Sequence, residues 1–295
     1  MRRPVVLLRL LAVVASSACG STAASGTSGA GAGGNAAGNA GAAGWAPGSK
    51  EACAKPRPGP QMVSFTTPSG VSFCMDRHEV TMKQYEEFVQ AVGKGPIPNH
   101  PSEWCQKYNT ELLPTPPFGG EGPWCNLHDP VGHPDAAADC IDWCDAAAYC
   151  QWAGKRLCGA IGGGETPEAK LDDPMADEWL YVCTNGGKTK YPYGDTGSAD
   201  KCKQASGDAR EPVLSHPECT GIEPPFSEVF NLQTAAPFGA PEYVGVAQTI
   251  PSDGLPRRVS RGLGSQAADY WSCFEWGLVR PVGNLSGAGF RCCGD

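Results

Sequence analysis

The sequence contains no C-x-x-C pair and no H-E-x-x-H. Its five histidines, His78, His100, His128, His133 and His216, form no ligand array. The common zinc layouts, with closely spaced thiolates or imidazoles, are therefore absent. No apolar run reaches the length of a membrane-crossing helix. Positive charge is scarce too. The formal net charge of -8 includes Arg2, Arg3 and Arg9, the only charges before residue 50, so residues 50–295 carry -11. That balance argues against nucleic acid and anionic lipid surfaces as partners.

What the chain does have begins with "MRRPVVLLRLLAVVASSAC": two arginines, a short apolar run, then small residues. This is the layout of a bacterial secretion signal over residues 1–19. Cys19 after Ser16, Ser17 and Ala18 resembles the lipobox of bacterial lipoproteins, with Ser16 where leucine is usual. Cleavage after Ala18 is the alternative processing. The resemblance implies a lipidated Cys19 and, with Gly20 next to it, an outer-membrane address, so that the lipid is the only membrane contact. Residues 20–49 are uncharged and rich in glycine, alanine and serine, with Trp45 their one large apolar side chain. Such a segment reads as a disordered tether with a reach of roughly 30 Å. Residues 50–295 are the folded part.

Cysteine is plentiful. Apart from Cys19 there are Cys53, Cys74, Cys105, Cys125, Cys140, Cys144, Cys150, Cys158, Cys183, Cys202, Cys219, Cys273, Cys292 and Cys293. An even set in an oxidising compartment predicts disulfides, up to seven, with connectivity left open. Adjacent Cys292 and Cys293 rarely pair with each other, so they are expected to tie the terminus to two other places.

Three helices are predicted. Thr81 with Gln84 forms a capping box ahead of Tyr85, Phe88, Val89 and Val92 on one face, and Gly93 ends the helix. Asp142 caps a second, with Ala146, Tyr149, Cys150 and Ala153 buried and Gly154 as stop. Asp173-Pro174 starts a third through Trp179, Leu180 and Cys183 to Gly186. Strand candidates are short: 71–74, 258–260 and 289–292. The expected class is α+β, disulfide-rich, with little regular secondary structure.

Six phrases, in order, resemble the formylglycine-generating enzymes or sulfatase-modifying factors. They are "FCMDRHEVTMKQYEEFV", "WCDAAAYCQWAGKRL", "ADEWLYVCTNGG", "YPYGD", "RVSRGLGS" and "GAGFRCC". The resemblance implies a variant of the C-type-lectin-like fold. Residue by residue, Tyr149, Trp152 and Leu157 read as core, and Lys155 and Arg156 suit a helix C-terminus.

Active members of that family resemble one another in a serine after R-G-G and cysteines three and eight residues beyond it, which hold copper(I). Counting from Ser265 gives Ala268 and Cys273; counting from Gly264 gives Ala267 and Ser272. One of the two thiolates that soft copper(I) needs is missing. The calcium-binding phrase has its nearest counterpart in "FGAPEY", which keeps Glu242 but has Gly239 in place of asparagine. Lys203 follows Cys202 where the family has a calcium-binding asparagine.

The reading is an exported, lipid-anchored domain without the copper site, acting as a binding module for an extracytoplasmic protein or glycan. Its contact loops are placed at "PPFGGEGPWC" and "AADYWSCFEW", around Trp124, Tyr270 and Trp276. On this reading no cofactor is expected. The rival is a formylglycine-generating oxidase with Cys273 and Ser265 in a residual site, and copper or calcium enters only with it. A purely structural envelope component is the third reading.

Overall fold

The computed structural model describes residues 48–95, 100, 102–109, 112, 132–138, 141–198, 201–202, 211–230, 242–249 (backbone alone), 257–261, 272–279 and 289–295. The described chain lies within one compact unit, Gly44–Asp295. Among the described residues no helix is long and apolar enough to cross a membrane. Cys19, Cys125, Cys140, Trp124, Ser265 and Tyr270 lie outside the described residues.

The folded chain is already in place at Gly48, which is buried, and Ser49, whose hydroxyl accepts from Ala52 N–H at the start of helix α1 (Lys50–Cys53). Strands β1 (Met62–Thr66) and β2 (Ser72–Asp76) then form an antiparallel hairpin. Helix α2 (Met82–Val92) carries the predicted capping box, with Thr81 and Gln84 bonding reciprocally, and stops at Gly93 with φ 89°. Tyr85, Phe88 and Val89 are buried as expected. Val92 is 41% exposed, because the last turn runs past the core.

Helix α3 (Glu103–Tyr108) was not foreseen. Helix α4 (Trp143–Trp152) has Asp142 as its cap and Asp145 as the second member of a capping box. All its residues from Trp143 to Cys150 are buried, so it has no solvent stripe and no clear periodicity to read. The third predicted helix begins later than its sequence suggests. Asp173 closes a separate turn through Ala176 N–H and Met175 N–H, and α5 (Glu178–Cys183) is capped by Asp177.

Strands β3 (Arg156–Leu157), β4 (Glu242–Thr249), β5 (Arg257–Arg261), β6 (Trp276–Val279), β7 (Gly289–Phe290) and β8 (Cys292–Gly294) complete two four-stranded sheets, ordered β1-β2-β8-β3 and β6-β5-β4-β7. The predicted strand at 289–292 is in fact two. The chain leaves one sheet after Phe290 and enters the other at Cys292, so Arg291 marks the crossing. One hydrophobic cluster joins α2, α4 and Phe290. A second joins β1, β2, α5 and Val259 of β5.

Six disulfides link all twelve described cysteines: Cys53–Cys74, Cys105–Cys144, Cys150–Cys292, Cys158–Cys293, Cys183–Cys273 and Cys202–Cys219. Cys292 and Cys293 tie the terminus to two places, the last turn of α4 and the residue after β3. Alternate side chains of a strand point to opposite faces, so neighbouring cysteines reach partners on opposite sides of the sheet.

Candidate functional site

Of the residues that the family resemblance assigns to chemistry, Cys273 and Glu242 fall on or beside the second sheet. Cys273, just ahead of β6, is fully buried and bonded to Cys183, the last residue of α5, with a Cα–Cα separation of 5.7 Å. Its N–H donates to Lys190 O at 2.8 Å. Glu242 opens β4, where its backbone pairs with Arg261 and Gly289. Ser265 falls in the connection between β5 and β6, outside the described residues. Of the proposed aromatic contacts only Trp276 is described. It is half-buried, and its indole N–H donates to Asp172 at 3.1 Å.

Beside Cys273's sheet, β5 buries several polar side chains. Arg258 lies over the Trp143 ring at 4.0 Å and pairs with Glu165 at 2.5 Å. Arg261 is fully buried. It donates to Leu171 O at 2.7 Å and meets Asp177 at 3.3 Å, while its Nε and Nη1 find no hydrogen-bond partner among the described residues. The Ser260 hydroxyl is likewise unpartnered there.

The first sheet is different. Lys155 does not serve the helix dipole, as its position after α4 suggests. It donates to Asp76 at 2.6 Å and to Pro60 O at 2.9 Å, with both charged side chains fully buried. The second oxygen of Asp76 accepts from Cys292 N–H at 2.9 Å. Gly59 (φ 85°) covers this cluster, and a Cβ there would meet the Tyr149 hydroxyl at 2.5 Å, so the close approach requires glycine. Burial pushes the Asp76 carboxyl up to about 6, against the pull of Lys155.

Arg156 makes a two-pronged contact with buried Glu178, 2.6 Å on each side, and reaches Asp295 at 2.8 Å. Glu178 also accepts from Gly159 N–H at 2.9 Å, and burial raises its carboxyl to about 7. The Asp of "FCMD", the Lys-Arg of "AGKR" and the Glu of "ADEW" are thus each other's partners. Their sequence separations gave no sign of it.

Two of the described histidines, His78 and His100, are held by backbone partners. His100 accepts from Ser102 N–H on Nδ1 and donates from Nε2 to Cys144 O, and burial lowers its basicity. Burial takes His78 down to about 4. Among the described residues one cluster has metal-ligand types, Cys158, Glu178 and Cys293, and its two sulfurs are joined in a disulfide.

Residues 47–219 match the family described as the sulfatase-modifying factor enzyme 1-like domain. The match ends before Cys273. A formylglycine-generating enzyme of Bos taurus is 26% identical over 146 residues, 42% of this chain and 34% of the bovine one. The alignment therefore spans about a third of that relative's length. Similar solved structures include PvdO from Pseudomonas aeruginosa (TM-score 0.44, 17% identity, 79% of this chain and 91% of that one) and CarF (0.43, 17%, 75% and 86%). A third is Treponema denticola variable protein 1 (0.43, 13%, 79% and 94%). The mixed helices and small sheets stapled by disulfides, the clamps that join the shared phrases and the matched residues agree, and the chain belongs to the sulfatase-modifying-factor family with its C-type-lectin-like fold.

Proposed function

We propose that this domain is a binding module in which the family's copper chemistry has been replaced by a structural disulfide. The observation that carries it is Cys183–Cys273. Copper(I) in this family is held by two thiolates. Ala268 stands at one of the two positions, and the sulfur at the other is bonded to carbon and to a second sulfur, with no charge to offer a soft cation. The residues present do not fit the ion.

The competing reading takes its support from the bovine relative, whose name is formylglycine-generating enzyme. In that reading Cys273 is reduced during turnover and a second ligand comes from elsewhere. The two readings separate on the native, unreduced protein. Alkylation and digestion are expected to recover the Cys183 and Cys273 peptides linked, and copper(I) titration to show no tight site. An alkylated Cys273 together with copper uptake and oxidation of a cysteine-containing peptide overturns the binding-module reading.

The same reading places the domain outside the cytoplasm, tethered through a lipid on Cys19. The six disulfides need an oxidising compartment, and the secretion-signal layout before Cys19 supplies the route. Metabolic labelling with a fatty acid in the native host is expected to mark the parent and not Cys19→Ala. An unlabelled parent removes the anchor.

A further inference from the structure

Among the described residues β1 is the outer strand of its sheet. Its ladder with β2 fixes which backbone groups face outward. Arg77 N–H donates to Gln61 O and Thr67 N–H to Val71 O, 2.9 Å each, on the same register as Val63 opposite Met75 and Phe65 opposite Phe73. Antiparallel ladders alternate bonded and non-bonded pairs, so the N–H and C=O groups of Met62, Ser64 and Thr66 point away from β2. Among the described residues they meet one partner, the Tyr181 hydroxyl, which donates to Thr66 O at 3.3 Å.

This edge is walled on both faces of the sheet. On one face α1 is pinned by Cys53–Cys74 against Met62 and carries Lys50. On the other, the Phe226 ring stands 5.4 Å from Phe65 and 5.7 Å from Tyr181, with Glu228 just beyond. Between the walls runs a groove of about 710 Å³ with β1 along it.

We propose that the groove takes an extended polypeptide segment of a partner protein as an added strand on β1. The proposal rests on the binding-module reading and names its partner class. Outward donors and acceptors at every second residue call for a ligand with the same alternation, which an extended main chain supplies. A second copy of this chain does not fit, because pairing two β1 edges would drive each copy's walls into the other's. Charge sets the rest. Lys50 and Glu228 are exposed, one in each wall, and neither has an ion-pair partner among the described residues. Side chains of a strand alternate between faces. The segment therefore presents an acidic residue toward Lys50 and, at alternate positions, a basic residue toward Glu228 beside an apolar one against Phe226.

Random peptides about nine residues long, the span of a long strand, are displayed on phage and selected on the intact, oxidised protein. The enriched sequences are then synthesised. Ser64→Pro is the deciding variant, measured against Ser64→Ala: the Ser64 N–H lies outside the β1–β2 ladder, so proline removes that outward donor, and alanine controls for the hydroxyl that donates to Gly48 O at 2.6 Å. The expected result is a set of peptides with the alternating acidic, basic and apolar pattern. Ser64→Pro should bind them about tenfold more weakly, and Lys50→Glu more weakly than the parent.

Should Ser64→Pro fail to fold, N-methylation of the peptide tests the same bonds from the other side, since one register of methyl groups should abolish binding and the other should not. Peptides that bind Ser64→Pro as well as the parent and tolerate methylation in both registers overturn the groove while leaving a binding module. A library without enrichment overturns the groove as well. Oxidation of a cysteine peptide with bound copper overturns the module reading instead.

Discussion

The two sheets are secured in different ways. In and around β1-β2-β8-β3, buried charges have opposite charges within 2.6 Å, Lys155 with Asp76 and Arg156 with Glu178, and Cys292 and Cys293 of β8 are both cross-linked. On β6-β5-β4-β7, Arg258 pairs with Glu165 at 2.5 Å, but Arg261 meets Asp177 only at 3.3 Å and keeps two nitrogens without a partner among the described residues, where the cross-link beside the sheet is Cys183–Cys273. The phrases "FCMD", "AGKR" and "ADEW" supply the clamps of the first sheet. The departures, Gly239 and Ala268, precede β4 and β6 in the sequence and lie outside the described residues. Fold and chemistry can change independently when the residues for each sit in separate places.

The sharpest way to break this contrast is to remove the staples of the first sheet. Cys150–Cys292 and Cys158–Cys293 close nearly the same loop, with separations of 142 and 135 residues. With one in place, the other closes only the short ring through residues 150–158 and 292–293. Chain entropy then predicts about 2 to 3 kcal/mol for losing either bridge as a Cys-to-Ala pair, and about 7 kcal/mol for losing both. Guanidinium unfolding of the two double variants and the quadruple variant measures this. Additive losses would mean that the bridges act independently through native contacts. Removing Cys183–Cys273, with separation 90, is expected to cost about 4 kcal/mol by itself.

Charge removal separates the sheets further. Lys155→Met strands the Asp76 carboxylate in the core and is expected to cost about 3 to 5 kcal/mol. Arg261→Met leaves Asp177 still bonded to the Thr166 hydroxyl and to Leu180 N–H, and it removes two nitrogens that lack partners. A loss of about 1 kcal/mol is expected there. Equal losses in the two variants, read from the same unfolding curves, would erase the distinction between a satisfied and an unsatisfied buried cation.

Local features were readable in the sequence and long-range ones were not. The boxes at Thr81 and Asp142 are written within four residues, and both helices form where they say. Asp173-Pro174 carries the same signals and caps only a turn, because Asp177 sits against Arg261 and Thr166 and takes the cap of α5 instead. That neighbourhood is assembled from β5, far along the chain. The destinations of Lys155 and Arg156 were hidden for the same reason: Asp76 lies 79 residues away and Glu178 lies 22 away. Adjacent cysteines did announce two separate attachments, since neighbours rarely meet the geometry of a disulfide with each other. The edge of β1 could not be seen, because an edge is defined by which strand is missing beside it.

The last test varies pH. Burial raises Asp76 from 3.8 to about 6 and Glu178 from 4.5 to about 7. Between the lower and upper values the folded protein retains protons that the unfolded chain has released, so stability falls as pH rises from about 4 to about 7 and levels off above. The midpoint of thermal unfolding should therefore drop across that window, by on the order of ten degrees. Asp76→Asn should remove the part that develops by pH 6 and leave the part due to Glu178. The difference between parent and variant isolates the Asp76 carboxyl from every other titrating group. If the two curves run parallel, Asp76 is ionised in the folded state throughout the window. Lys155 then outweighs burial, and the first sheet is held by a permanent ion pair rather than one that forms with rising pH.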